Sequence, residues 1–250
     1  MIGTTVLEVT EVSCGYGKIR IVNEVSFKIH EREIVLIMGP NGSGKSTLVK
    51  AVVGLVNIFG GRIMFDGNDL IGHSTVQIVR MGISYVPQTN NLFQNLSVKE
   101  NLEMGSVLLK SSSRQGFLGR IYEIFPELKA KESDTANTLS GGERQILAIA
   151  RGLIGEPRIL ILDEPTAGLS PKIAKNVISR IKEIRDKGVS VLLVEQNARA
   201  ALSIADTGCV IVTGSKVAEG PAKEIIKNED VVQLFLGGRK QLESMPKHHQ

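Results

Sequence analysis

Gly39, Gly44, Lys45 and Ser46 stand at the spacing G-x-x-x-x-G-K-S, between the apolar run "EIVLIM" and the helically patterned "TLVKAVVG". Strand, glycine-rich turn and helix are the context in which that spacing makes a phosphate-binding loop. Gly42 and Gly44 let the backbone curl without Cβ clashes, so successive amides and the start of the next helix point at phosphate oxygens. Lys45 can reach the β and γ phosphates of a nucleotide, and the Ser46 hydroxyl can ligate Mg2+. The loop Gly39, Pro40, Asn41, Gly42, Ser43, Gly44, Lys45, Ser46 and Thr47 is therefore expected to hold a nucleoside triphosphate.

A second apolar run, Ile159 to Leu162, ends in Asp163 and Glu164. Carboxylates there would lie at the carboxyl edge of a parallel sheet, where open α/β folds bind ligands. Asp163 can hold Mg2+ through water, and Glu164 can orient or deprotonate an attacking water. Taken alone, Asp-Glu-Pro also punctuates a strand. Ser140, Gly141 and Gly142 open a helical segment, Ser140 as a good N-cap and the glycines leaving amides accessible. That makes a second helix start suited to a phosphate, beyond what one nucleotide on the first loop can use, although capping alone would also explain it. A third apolar run, "VSVLLV", breaks into Glu195, Gln196 and Asn197, again a polar cluster at a strand's carboxyl end.

The rest of the chain reads as the frame for these residues. The opening, "LEVTEVSCGYGKIRIVNEVSFKIHEREIVLIMG", alternates apolar and polar residues and predicts short antiparallel strands; "GRIMFDG" adds a strand with an Asp66-Gly67 turn. From Ser97, at capping-box distance from Glu100, to about residue 150 the periodicity is helical, so roughly 90–150 reads as a helical insert. Beyond it, buried-type strands alternate with amphipathic helices, which implies a parallel sheet covered on both faces. A hairpin turning at Gly214-Ser215 and a polar tail, 239–250, close the chain. The expected fold is α/β: a P-loop NTPase core with a mainly parallel sheet, an N-terminal antiparallel β-subdomain and an inserted α-helical subdomain, all within residues 1–238.

Composition narrows the classes. Thirty Lys and Arg against 26 Asp and Glu leave +4 without runs, weak grounds for a nucleic-acid surface. Two cysteines, Cys14 and Cys209, lack C-x-x-C spacing, so neither a disulfide framework nor a zinc site is expected, and a reducing setting fits. The start, "MIGTTVLEVTEV", lacks a basic-then-apolar signal pattern, and no apolar run reaches the ~18 residues of a membrane span. Of the histidines, His30 and His73 read as surface residues, and the pair His248 and His249 in the polar tail gives only weak support for metal binding.

"LSGGERQ" beside "GPNGSGKST" and "ILILDEP" resembles the nucleotide-binding subunit of an ABC (ATP-binding cassette) transporter, over residues from about 6 to 236. The resemblance implies ATP and Mg2+ as ligands, ATP hydrolysis, and a dimer in which Ser140, Gly141 and Gly142 of one subunit close over ATP on the phosphate loop of another. It implies adenine stacking on Tyr16, which by itself reads as a core or edge-strand tyrosine. Gln88 falls on the family's Q-loop, touching the metal or water and linking to the helical subdomain. Residues 166–170, "TAGLS", fall on the D-loop, with Ser170 in place of the usual aspartate; Ser170-Pro171 also reads as a helix start. Glu143 stands where many members have glutamine. Gln196 stands where most have histidine, so a neutral amide would contact the γ-phosphate, or only cap the next helix.

The expected catalytic set is thus Glu164, Gln196 and Lys45, with Ser46, Gln88 and Asp163 at the metal. "LLVEQNARAALSIAD", "TAGLSP" and "LFLGG" resemble the ATPases of branched-chain amino-acid importers. That implies a peripheral protein at the cytoplasmic face of the membrane, a second ATPase, separate permease subunits and an external substrate-binding protein, with no nucleic acid. A non-transport ABC ATPase acting on nucleic acid or ribosomes is the alternative; such proteins commonly carry a coiled-coil insert or two cassettes, and this chain has neither.

Overall fold

The apolar runs that end in functional residues become the centre of the molecule. In the computed structural model, which describes residues 3–89, 91–107, 116–196, 198–225 and 227, the strands β3 (Ile34–Met38), β7 (Ile159–Asp163) and β8 (Ser190–Glu195) are buried along their whole length. Each fully buried Val, Leu or Ile side chain contributes about 1.5–3 kcal/mol relative to exposure, so runs of this kind belong in a sheet covered on both faces. Within the six-stranded sheet the order is β10-β9-β3-β8-β7-β6, where β6 is Ile83–Val86, β9 is Thr207–Val212 and β10 is Ser215–Pro221. All neighbouring pairs are parallel except β9 with β10.

Register brings the strand ends together. Met38 lies opposite Glu195, and Asp163 opposite Val194. The loop after β3, the acidic pair after β7 and the polar cluster after β8 therefore leave the sheet side by side. One face is covered by α1 (Lys45–Val52) and by an antiparallel sheet of order β2-β1-β4-β5, whose strands are β1 (Thr5–Tyr16), β2 (Ile19–His30), β4 (Asn57–Phe65) and β5 (Asn68–Asp69). Leu48, Val49 and Val52 of α1 share a core with Val9, Phe27, Ile37, Ile161 and Leu192. The other face is covered by α6 (Gly141–Leu153) and α7 (Pro171–Asp186), through Leu147, Ile149, Ile178 and Ile181 against Leu36, Leu160 and Leu193.

Three details depart from the sequence reading. β1 and β2 are not short: each runs 12 residues, with register shifts between Val9 and Val12 and left-handed residues at Glu11 and Glu24, so bulges bend long strands where separate short ones were expected. β3 leaves that antiparallel region to become the interior parallel strand. The last hairpin turns at Thr213 and Gly214, with Ser215 already in β10. By contrast Asp66 and Gly67 turn where expected, both at positive φ, as a two-residue turn between β4 and β5 requires. The tail 239–250, with His248 and His249, and the "LFLGG" segment at 234–238 lie outside the described residues.

Between β6 and β7 the described elements are helical: α2 (Thr75–Arg80) precedes β6, then come α3 (Val98–Gly105), α4 (Phe117–Ile124), α5 (Pro126–Lys129), a 3-10 turn at Ala136–Thr138, and α6. Ser97 and Glu100 form the reciprocal capping box at the start of α3. Asn101, fully buried, holds the approach to that helix: its Oδ1 accepts from the Phe93 amide at 2.8 Å, and its Nδ2 donates to the carbonyls of Phe93, Leu96 and Ser97 at 2.9, 3.1 and 3.0 Å. Asn101→Ala strands these groups away from water, so urea denaturation should show a loss of about 2–3 kcal/mol, and hydrogen exchange at the Phe93 amide should quicken.

Candidate functional site

The loop after β3 is shaped by contacts that only glycine permits. A Cβ on Gly39 would lie 2.0 Å from the Ile211 carbonyl oxygen of β9, so the loop begins pressed against the neighbouring strand. Gly42 (φ 75°) and Gly44 (φ 100°) are left-handed, and no side chain caps the first turn of α1, which leaves its amides directed into the loop. Gly214 of the last hairpin donates its amide to the Ser43 carbonyl at 2.9 Å and braces the loop from behind. Lys45 has its side chain only 4% exposed; its Nζ donates to the carbonyls of Gly39 at 3.0 Å and Pro40 at 3.1 Å and lies 3.7 Å from Glu164 Oε1. The buried Ser43 hydroxyl has no hydrogen-bond partner. An uncapped helix start, a buried ammonium resting on its own loop's carbonyls and an orphaned hydroxyl fit the phosphates of a nucleotide.

Where the sequence leads one to expect a metal, Ser46 Oγ of α1 donates to Asp163 Oδ1 of β7 at 2.9 Å, and the Tyr85 hydroxyl of β6 donates to Asp163 Oδ2 at 3.2 Å. A hydroxyl beside a carboxylate suits Mg2+, which prefers oxygen ligands. Among the described residues no cluster of three or more His, Cys, Asp or Glu could hold a metal, so Mg2+ here would need phosphate oxygens and water to complete its shell.

Glu164 follows directly, at φ 49°, a left-handed conformation that a non-glycine residue holds only when its surroundings fix it. Its amide donates to the Val194 carbonyl at 2.9 Å, and its Oε2 accepts from Gln88 Nε2 at 2.9 Å. Thus Lys45, Ser46, Gln88, Asp163 and Glu164 meet at the sheet's carboxyl edge. They adjoin a cavity of about 810 Å³ lined in part by Asn41, Gly42, Gln88, Glu164, Glu195 and Gln196.

The charges constrain one another. Burial pulls the Lys45 ammonium below its ordinary pKa, and Glu164 and Asp163 oppose that. Burial pushes the Tyr85 phenol up, with the Asp163 carboxylate adding to it, so Tyr85 stays a donor. Burial raises the Glu195 carboxyl to about 7, against hydrogen bonds from Thr166 that lower it. Tyr85 draws no role from the sequence, and Glu195 only membership of the polar cluster that follows "VSVLLV". A weak signal existed for Glu195, which ends the apolar run of β8 as Asp163 ends that of β7; Tyr85 gives none beyond its place in a strand.

Other expected residues stand apart. Tyr16, at the end of β1, is 48% exposed, and its hydroxyl accepts from Lys50 Nζ of α1 at 3.5 Å. It flanks the phosphate-loop helix with its ring open to solvent. Gln196 is exposed at the cavity, one residue beyond β8. Ser140, Gly141 and Gly142 do not line that cavity. Ser140 forms a capping box with Glu143, whose carboxyl is held down at about 2 by Lys131 first and by Ser140 second. A Cβ on Gly142 would meet the Ile173 side chain of α7 at 2.4 Å, so the glycine also lets the two helices approach. Ser170 and Pro171 start α7 as the sequence suggests, at the N-cap and in the first turn, but the Ser170 side chain makes no capping hydrogen bond.

A family model described as "ABC transporter" matches residues 22–167. The high-affinity branched-chain amino acid transport ATP-binding protein BraG of Pseudomonas aeruginosa is 39% identical, over 93% of this chain and 100% of its own. The probable branched-chain amino acid transport ATP-binding protein LivF of Archaeoglobus fulgidus is 38% identical, over 92% and 98%. The lipopolysaccharide export system ATP-binding protein LptB of Escherichia coli is 34% identical, over 87% and 91%. Among solved structures, the ADP conformation of an ATP-binding cassette of an ABC transporter superposes with a TM-score of 0.85 at 26% identity, covering 94% of this chain and 99% of that one.

The buried Glu195 makes stability depend on pH. Its carboxyl titrates near 4.5 when unfolded and near 7 when folded, so its stabilising contribution is complete below 4.5 and lost as pH rises through 7. Melting temperatures measured from pH 5 to 8 should fall across that window in the wild type, and Glu195→Gln should flatten the fall and melt higher at pH 8. The difference should reach on the order of 2–3 kcal/mol at most.

Proposed function

The chain belongs to the ABC transporter ATP-binding family, whose members are ATPases, and on that premise we propose that it binds and hydrolyses MgATP as a separate subunit of an importer for branched-chain amino acids. The observation that carries the hydrolytic reading is the meeting of Lys45, the Ser46–Asp163 pair and Glu164 at one strand edge. The import reading rests on the likeness to BraG and LivF at 39% and 38% identity. The likeness to LptB at 34% favours a second reading, an ATPase serving export. No helix among the described residues is long and apolar enough to cross a membrane, so permease partners would supply the pathway, with this subunit peripheral on the cytoplasmic face and an external protein delivering the substrate.

In the proposed reaction, phosphate oxygens replace the Gly39 and Pro40 carbonyls as partners of Lys45, and Ser43 gains an acceptor. Mg2+, held by Ser46, Asp163 and Gln88, would neutralise charge on the phosphates. Glu164 accepts a proton from the attacking water as its oxygen bonds to the γ-phosphorus and the bond to ADP breaks. The Gln88 amide, now on Glu164, must yield for this to happen, and that exchange links the site to the helical segment that follows residue 88. Tyr16 would stack on adenine. The amides of Gly141 and Gly142 on a second ATPase subunit would cover the γ-phosphate from the opposite side, so closure on ATP and reopening after hydrolysis shift the permease between states.

Three outcomes test this reading. Pull-down from native membranes with mass spectrometry should recover a permease of a branched-chain amino-acid importer; an export assembly in its place would favour the second reading. Ser140→Arg should lower turnover by roughly 100-fold or more while leaving fluorescent ATP-analogue binding within about threefold, and an ATP-dependent dimer that forms normally would contradict the shared site. Gln196→His should add a limb near pH 6.5 to a turnover profile that lacks one in the wild type.

A further inference from the structure

Glu195 is buried to 2% exposure, and the reaction proposed above makes no use of it. Its Oε1 accepts two hydrogen bonds from one residue, the Thr166 amide at 3.0 Å and the Thr166 hydroxyl at 2.8 Å. Thr166 lies two residues past Glu164. On the other side, the Glu164 amide donates to the carbonyl of Val194, the residue before Glu195. Two successive residues at the end of β8 therefore grip the loop after β7 on both sides of the Glu164 side chain. The backbone needs that grip, because Glu164 sits at φ 49° and the chain turns sharply there. The Glu195 oxygen can accept both bonds whether or not the carboxyl is ionised, and in a buried setting such bonds define position closely.

We infer that Glu195 is the positioning residue for the carboxylate of Glu164: by clamping Thr166 it fixes where Glu164 stands relative to Lys45, and, as the chain neighbour of Gln196, it ties that loop to the γ-phosphate end of β8. The inference rests on the hydrolytic reading given above. Glu195 makes no hydrogen bond to the phosphate loop; the groups whose charges bear on it are Glu164, which disfavours its ionised form, and Lys45, which favours it. Its action therefore falls on the chemical step and not on nucleotide capture. A displacement of about 1 Å in a reacting group costs on the order of 100-fold in rate, which is the scale the clamp controls.

The test compares Glu195→Ala, Glu195→Gln and Thr166→Val in steady-state MgATP turnover and in binding of a fluorescent ATP analogue. The alanine variant should lose roughly 10–100-fold in kcat with KM within about threefold of the wild type. The glutamine variant, whose amide oxygen can accept from both Thr166 donors, should stay within about threefold in both constants. Thr166→Val, which keeps the amide bond and loses the hydroxyl bond, should fall between them. An alanine variant within about twofold of the wild type in kcat, a glutamine variant as slow as alanine, or kcat and KM failing in step would each overturn the inference. Should the alanine variant fail to fold, the other pair decides: a slow Thr166→Val with a fast Glu195→Gln supports the clamp, and the reverse overturns it. A wild type without Mg2+-dependent turnover overturns the hydrolytic reading and this inference with it, whereas an active wild type with an unaffected alanine variant overturns this inference alone.

Discussion

Lys45 is an ammonium carried into the interior, and the surrounding architecture answers the cost of putting it there. A buried cation without partners loses several kcal/mol of solvation, so the fold must supply oxygens around it. It does so with the Gly39 and Pro40 carbonyls, from the lysine's own loop, and with Glu164 at 3.7 Å, from the loop after β7 more than a hundred residues away in sequence. That supply depends on register. Because Met38 pairs with Glu195 and Asp163 with Val194, three loops rise from one sheet edge, and oxygens from the loops after β3 and β7 can converge on a single nitrogen. A one-residue slip in any of the three strands would exchange the faces of its side chains and disperse the set.

The same dependence gives Lys45, Ser46, Asp163 and Glu164 each a partner within the protein. Lys45 rests on carbonyls of its own loop, Glu164 accepts from Gln88, and Ser46 and Tyr85 both donate to Asp163. These contacts are of the kind that phosphates, a divalent cation and water can replace one for one. In the proposed mechanism, binding nucleotide is an exchange of partners among groups already in place, with little ordering cost except where Gln88 must move. Since Gln88 leads from β6 toward the capped helix α3, that one movement reaches the helical layer, where Asn101 fastens the loop from Phe93 to Ser97.

Sequence legibility followed how local the determinants were. The phosphate loop could be read because its glycines, lysine and serine are contiguous and each has a backbone or charge reason for its place. Asp163 and Glu164 could be read because an apolar run points to a strand end. Tyr85 and Glu195 escaped because their meaning lies in partners 78 and 29 residues distant, which only strand order brings near. The length of β1 and β2 escaped for a similar reason: bulges at Glu11 and Glu24 interrupt the alternation that marks a strand while the pairing continues across them. Ser170 shows the converse, a residue type suited to capping that takes the cap position without making the bond.

The proposed mechanism divides the labour: Lys45 binds the phosphates and Glu164 acts on the water. Calorimetric titration of MgATP, paired with turnover, into the wild type and Glu164→Gln measures that division directly. Glu164→Gln should bind MgATP within about threefold of the wild type, and its turnover should fall by roughly 100-fold or more. Turnover close to that of the wild type would contradict the role given to Glu164, and loss of binding would contradict the division itself.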